Sequence, residues 1–155
     1  MTLSSYLEED HRRIEEYLQN PERYPEFRGA LARHIGMEER ILFPAIRNSS
    51  AEKPMPGMEQ LHLDHGALVA LLVPTPTAAV VDAIRSILER HNVLEEGPNG
   101  IYRQFERLAT PDESARILAK LQSAPPVPMN PNVDNAIVRD SVHAALARAG
   151  YSFKL

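Results

Sequence analysis

One six-residue pattern recurs in this chain of 155 residues, as His34-Ile-Gly-Met-Glu38-Glu39 and as His91-Asn-Val-Leu-Glu95-Glu96. Each copy lies in a stretch of helical periodicity, so the imidazole and the first carboxylate, four residues apart, share one helix face. His11 and His65 stand alone in two further helical stretches. At ~100° per residue, the apolar stripe of each stretch tells whether those faces turn inward. Leu3, Leu7, Ile14 and Leu18 mark the first stripe, and His11 continues it. Leu31, Ile35, Leu42 and Ala45 mark the second, with Glu38 near its centre and His34 roughly 40° off it. Met58, Leu61, Leu68 and Leu72 mark the third, with His65 near the middle. Ile84, Ile87 and Leu94 mark the fourth, with His91 central and Glu95 on the flank. A buried carboxylate without a partner is costly and is avoided or neutralised. Four imidazoles and two carboxylates facing one interior make sense together if cations compensate them, and facing helices of a bundle can supply such a cage.

The string alone is weak evidence, because His-x-x-x-Glu is a common solvated pair. A third copy, His11-Arg-Arg-Ile-Glu15-Glu16, makes the point. Its Glu15 lies roughly 100° from the stripe and is expected in solvent. His62 flanks the third stripe by roughly 60° and is a secondary candidate ligand. His143, in the last helical stretch, is expected at the surface or at a docking face. The candidate metal ligands are therefore His11, His34, Glu38, His65, His91 and Glu95, with His62 behind them.

Prolines and glycines punctuate the chain. Helices are predicted over about 5–19, capped by Ser4 or Ser5, and over about 26–48, with Pro44 expected to kink or end the helix near Leu42. A connector fills 20–25 and a loop fills 48–57. Two more helices are predicted over about 58–73 and 76–96, the latter capped by Thr75 with Pro76 at its first position. Gly97-Pro98-Asn99-Gly100 interrupts that helix, and a continuation covers 101–108. A short helix follows Thr110-Pro111 and ends near 122. A Pro-rich tether over 124–131 leads to an amphipathic helix over 133–149. No strand-like alternation of useful length occurs, so the class is all-α: an up-down-up-down four-helix bundle with additional C-terminal helices. Residues 1–122 read as the metal-binding bundle and 123–155 as tether and final helix. Ile137, Val138, Val142, Ala145, Leu146 and Ala149 form an apolar stripe that must cover either its own bundle or a second chain, so a homodimer is one expected arrangement.

Composition narrows the chemistry. There is no cysteine, which excludes disulfides, thiolate metal sites and cysteine nucleophiles. The net charge is −4 with no basic run, which argues against nucleic acid. No apolar stretch approaches the roughly 20 residues of a membrane span. The acidic start lacks the pattern of a signal peptide, and a cytoplasmic location is expected.

Taken in order, His11, His34-x-x-x-Glu38-Glu39 running into Ile41-Leu42-Phe43-Pro44, Asp64-His65, and His91-x-x-x-Glu95-Glu96 running into Ile101-Tyr102 resemble the hemerythrin-like HHE cation-binding family. The resemblance covers about residues 3–108. It implies a four-helix bundle around a non-haem di-iron centre, two Fe ions bridged by carboxylates and an oxo or hydroxo group. By resemblance Glu38 and Glu95 would bridge and the four histidines would be terminal ligands. Nitrogen and carboxylate donors also suit Mn or Zn. Family members bind dioxygen (O2) or nitric oxide (NO), sense oxygen or iron, or act in iron and redox homeostasis, so a ligand-binding or sensing protein is expected rather than an enzyme. Oxygen carriers of the family place two histidines four residues apart on the third helix. Here Leu61 holds the earlier position, which turns the expectation away from a dedicated oxygen carrier. A ferritin-like di-iron oxidase or peroxidase, using Glu8/His11 and Glu59/His62, and a metal-free helical interaction module are the competing readings.

Overall fold

Thr2 opens the first helix with a reciprocal cap. Its hydroxyl accepts the Ser5 N–H at 3.0 Å, while Ser5 Oγ accepts the Thr2 N–H at 2.9 Å. Helix α1 therefore spans Leu3–Gln19, and Thr2 takes the capping role expected of Ser4 or Ser5. The computed structural model describes residues 1–50 and 53–155, and no strand occurs among them.

Residues 20–25, expected as a plain connector, hold a short 3-10 turn, Pro21–Arg23, that leads directly into α2, Tyr24–Met37. Near Leu42, where Pro44 is expected to kink or end the helix, regular α-helix is interrupted but helical chain does not stop. The chain widens into a π turn over Glu38–Leu42 and continues as α3, Phe43–Ser49. Proline has no N–H, and in a regular helix its ring presses on the carbonyl four residues back. The wider turn absorbs the misfit, and the Phe43 N–H reaches back to the Glu38 carbonyl. Of the loop expected over 48–57, Asn48 and Ser49 belong to α3, and residues 51–52 lie outside the described residues.

Helix α4 spans Met58–Leu71 and α5 spans Ala78–Glu95. The cap of α5 is Thr77, whose side chain accepts the Val80 N–H at 3.2 Å, not Thr75. Thr75 is engaged elsewhere: its N–H and hydroxyl both donate to Asp134, at 2.9 and 2.5 Å. Beyond the Gly97–Gly100 break come α6, Ile101–Leu108, α7, Pro111–Gln122, and α8, Ala136–Ala149. Helix α8 starts three residues later than predicted because Val133 and Asp134 strap the tether to the α4–α5 turn. The Val133 N–H donates to the Val73 carbonyl at 3.0 Å. Buried Arg28 closes the same strap, donating to the carbonyls of Leu72 and Asn130 at 3.0 Å each.

Helix α1, the α2–π–α3 rod, α4 and α5 form the up-down-up-down bundle; α6 and α7 pack against α1, and α8 lies along α4. The stripe of α8 is thus covered by its own chain: Val142, Ala145, Leu146 and Ala149 are buried, although Ile137, counted in that stripe, is 76% exposed. Inside, two apolar clusters stack along the axis. Ile14, Leu31, Ile35, Leu68, Ile84 and Ile87 belong to one, and Leu7, Leu42, Phe43, Leu61, Tyr102 and Phe105 to the other. Between them lies a layer of buried polar side chains: His11, His34, Glu38, His65, His91 and Glu95. Leu94, counted in the stripe of α5, is 39% exposed, because the inward place at that level belongs to Glu95.

Candidate metal centre

The polar layer gathers one histidine from each of four helices. His11 Nε2 and His34 Nε2 stand 2.9 Å apart on one side, and His65 Nε2 and His91 Nε2 stand 3.2 Å apart on the other. Glu38 and Glu95, both fully buried, lie between the two pairs. Two groups result, His11–His34–Glu38–Glu95 and Glu38–His65–His91–Glu95, and within each group the donor atoms lie within 4.8 Å of one another. Both carboxylates belong to both groups.

The outward nitrogens explain how the imidazoles are held. His34 Nδ1 lies 2.8 Å from Asp10, His65 Nδ1 2.7 Å from Glu39, His91 Nδ1 3.2 Å from Asp64, and His11 Nδ1 2.5 Å from Glu96. An ionised carboxylate only accepts, so each Nδ1 carries its hydrogen outward, and once the ring is neutral each Nε2 presents its lone pair inward. These four acids follow a simple rule in the chain. Each sits one residue from an inward-facing side chain: Asp10 beside His11, Glu39 beside Glu38, Asp64 beside His65, Glu96 beside Glu95. One residue turns the helix ~100°, so the neighbour points sideways at the next rod. Asp10 of α1 serves α2, Glu39 of the π turn serves α4, Asp64 of α4 serves α5, and Glu96 at the end of α5 serves α1. The ring closes around the bundle.

Three buried oxygens test whether a cation fits. Among the described residues, Glu38 Oε2 and both carboxylate oxygens of Glu95 accept no hydrogen bond. Imidazole nitrogens approach them, His65 Nε2 at 3.0 Å from Glu38 and His91 Nε2 at 2.9 Å from Glu95, but outside hydrogen-bonding alignment. Unpartnered anionic oxygens facing four nitrogen lone pairs form a donor set suited to a transition-metal cation.

Electrostatics say the same. Burial disfavours protonated imidazole, yet at His91 the charges of Glu95 and Glu38 and the hydrogen bond to Asp64 win, and its value is raised to about 10. For His34 burial is likewise outweighed, by Glu38, Asp10 and Glu95, and the value stands well above the ordinary one. His11 and His65 are also raised against burial. Glu38 is held well below the ordinary carboxylate range, because His34 and His65 overcome its desolvation. The layer is built for positive charge, which protons supply in the metal-free chain.

Tyr102 completes the layer; in the sequence it stands only at the end of the stretch that resembles the family. Its hydroxyl donates to Glu38 Oε1 at 2.5 Å and lies 3.2 Å from His11 Nε2. Burial, reinforced by Glu38 and Glu95, pushes its value well above that of a free phenol, so it remains a neutral donor. The only sequence signal for it is an aromatic residue two positions after the glycine-rich break. On the opposite side of the layer a cavity of about 220 Å³ opens among apolar side chains such as Ile14, Leu31 and Leu68, with Glu15, Arg85 and Glu89 also in its wall, and it reaches His11, His34 and His91.

The remaining candidates stay outside. The His62 side chain is 62% exposed and reaches only Glu39, at 2.9 Å. His143 and Glu15 are exposed, as expected. The Glu-x-x-His pairs of the ferritin-like reading do not converge: Glu8 pairs with Arg103, and Glu59 is exposed.

No curated protein and no solved structure matches this chain. The family profile of the Hemerythrin HHE cation binding domain matches residues 2–98, which includes all six inward-facing polar side chains. With that profile covering well over half its length, the chain belongs to the hemerythrin HHE cation-binding family.

Proposed function

We propose that the chain binds two iron ions side by side in the polar layer and uses them to bind or sense a diatomic ligand, dioxygen or nitric oxide. The carrying observation is that two four-residue donor groups share Glu38 and Glu95, three of whose four buried carboxylate oxygens have no other partner among the described residues. In this reading Glu38 and Glu95 bridge, His11 and His34 hold one ion, and His65 and His91 hold the other. Such ions would supply Lewis acidity and open coordination positions for a small ligand. The protein supplies the rest. Asp10, Glu39, Asp64 and Glu96 fix each imidazole's tautomer and direction. The cavity gives a small molecule space beside His11, His34 and His91, lined by apolar side chains and by the exposed Glu15, Arg85 and Glu89. Tyr102 seals the opposite side and keeps a proton at hydrogen-bonding distance from Glu38. Sensing or iron and redox homeostasis suits a buried site of this kind.

Metal analysis of the purified chain, followed by anaerobic reduction and optical titration with dioxygen and with nitric oxide, tests the reading. Two transition-metal ions per chain and new absorption bands on adding gas are expected. His34→Ala or Glu38→Ala should lose most of the metal, whereas Glu15→Ala should retain it. Colourless protein with less than one transition-metal ion per chain overturns the proposal.

A further inference from the structure

The C-terminal segment lies outside the family match, yet it reaches the polar layer. Gly150 ends α8 in the left-handed region, at φ 86°, where a side chain is disfavoured. The Tyr151 N–H then closes back on the Leu146 carbonyl at 2.8 Å. This reversal turns Tyr151 toward α4 and α5. Its ring is buried, lies under the Arg90 guanidinium at 5.2 Å and stacks on Phe153 at 5.6 Å.

The Tyr151 hydroxyl donates to Asp64 Oδ1 at 2.8 Å. Gln60 donates to the same oxygen at 2.8 Å and to the Ala149 carbonyl at 3.0 Å, which binds the end of α8 to the same acid. The other oxygen of Asp64 receives the outward N–H of His91. A continuous chain thus runs from Tyr151 through Asp64 to His91, and His91 Nε2 faces the centre. Asp10 and Glu96, the acids behind His34 and His11, bond to no residue of the C-terminal segment: Asp10 pairs with Arg13 of its own helix, and Glu96 with His11.

We propose that Tyr151 is a positioning residue that makes the two ion positions unequal, fixing Asp64 so that His91 holds its orientation at the His65–His91 position alone. This rests on the two-ion reading above. Outer partners of this kind set the direction and donor strength of a metal-binding imidazole. The C-terminal segment therefore gives this chain a means of adjusting one ion position without touching any ligand.

Tyr151→Phe keeps the buried ring and removes only the hydroxyl. Metal-free full-length protein is titrated with Co(II), and filling of each position is followed through the imidazole N–H resonances of His34 and His91. In Tyr151→Phe the His65–His91 position should weaken about three- to tenfold, less than the ~10–100-fold typical when the direct outer partner is removed. The His11–His34 position should keep its affinity. In the metal-free protein the His91 N–H resonance should shift and that of His11 should stay. Equal affinities in wild type and variant, or equal weakening at both positions, overturn this proposal alone. A wild-type chain that takes up no cobalt overturns the two-ion reading and this proposal with it.

Discussion

Tyr102 shows how much a single buried hydroxyl does in this layer. It gives Glu38 its hydrogen bond, and the other oxygen of that carboxylate has none. Tyr102→Phe should therefore destabilise the metal-free chain by about 1.5–3 kcal/mol, the range for a lost hydrogen bond to a charged group, measured by urea unfolding. The metal-loaded chain should lose less, because a bound cation satisfies Glu38. The inward-facing histidines and glutamates were legible one residue at a time, since helical period and the apolar stripe place each of them. Tyr102 was not, because α6 follows a reversal of the chain and no period carries across it. The sideways acids were not legible either. Asp10 beside His11 points to His34, a pairing that depends on which rod stands next to α1.

The elements add two local distortions. The π turn at Glu38–Leu42 accommodates Pro44 and sets Glu38 inward with Glu39 sideways toward α4. The break after α5 depends on Gly100. A Cβ there would stand 2.2 Å from the Glu96 carbonyl and 2.3 Å from that of Glu95. This close approach folds the chain back and carries Tyr102 over the layer. Gly100→Ala should cost about 1–3 kcal/mol by overpacking and should also loosen the Tyr102–Glu38 contact. Thermal unfolding would show the first effect, and a changed tyrosine absorption on metal binding the second. In the structure Glu95 is the last residue of α5 and fully buried, so the break positions Tyr102 and leaves Glu95 in register.

At the scale of the whole molecule, the polar layer divides the core and couples stability to pH. His91, raised to about 10, binds its proton more tightly in the folded chain than in the unfolded one, where histidine titrates near ~6.5. Such a group contributes its full stabilisation below the unfolded value and loses it as pH rises through the folded one. His34, His11 and His65 shift in the same direction. The metal-free chain should therefore lose thermal stability between pH ~6.5 and ~10. Metal uptake displaces these protons, so binding should release protons and tighten with pH. Calorimetry of chelator-treated and metal-loaded protein across that window checks both: Tm should fall in the first and hold in the second. No described helix is long and apolar enough to cross a membrane.

The chain's order of apolar, imidazole and carboxylate positions was enough to determine four amphipathic rods with polar side chains at matching heights, because a helix face is a local property that repeats every few residues. The tertiary structure alone decided what stands beside what. It set which acid holds which imidazole, brought Tyr102 over Glu38, and laid Tyr151 against Asp64, 87 residues away in the chain. Those contacts arise where rods and reversals meet in space, and spacing along the chain does not encode that distance.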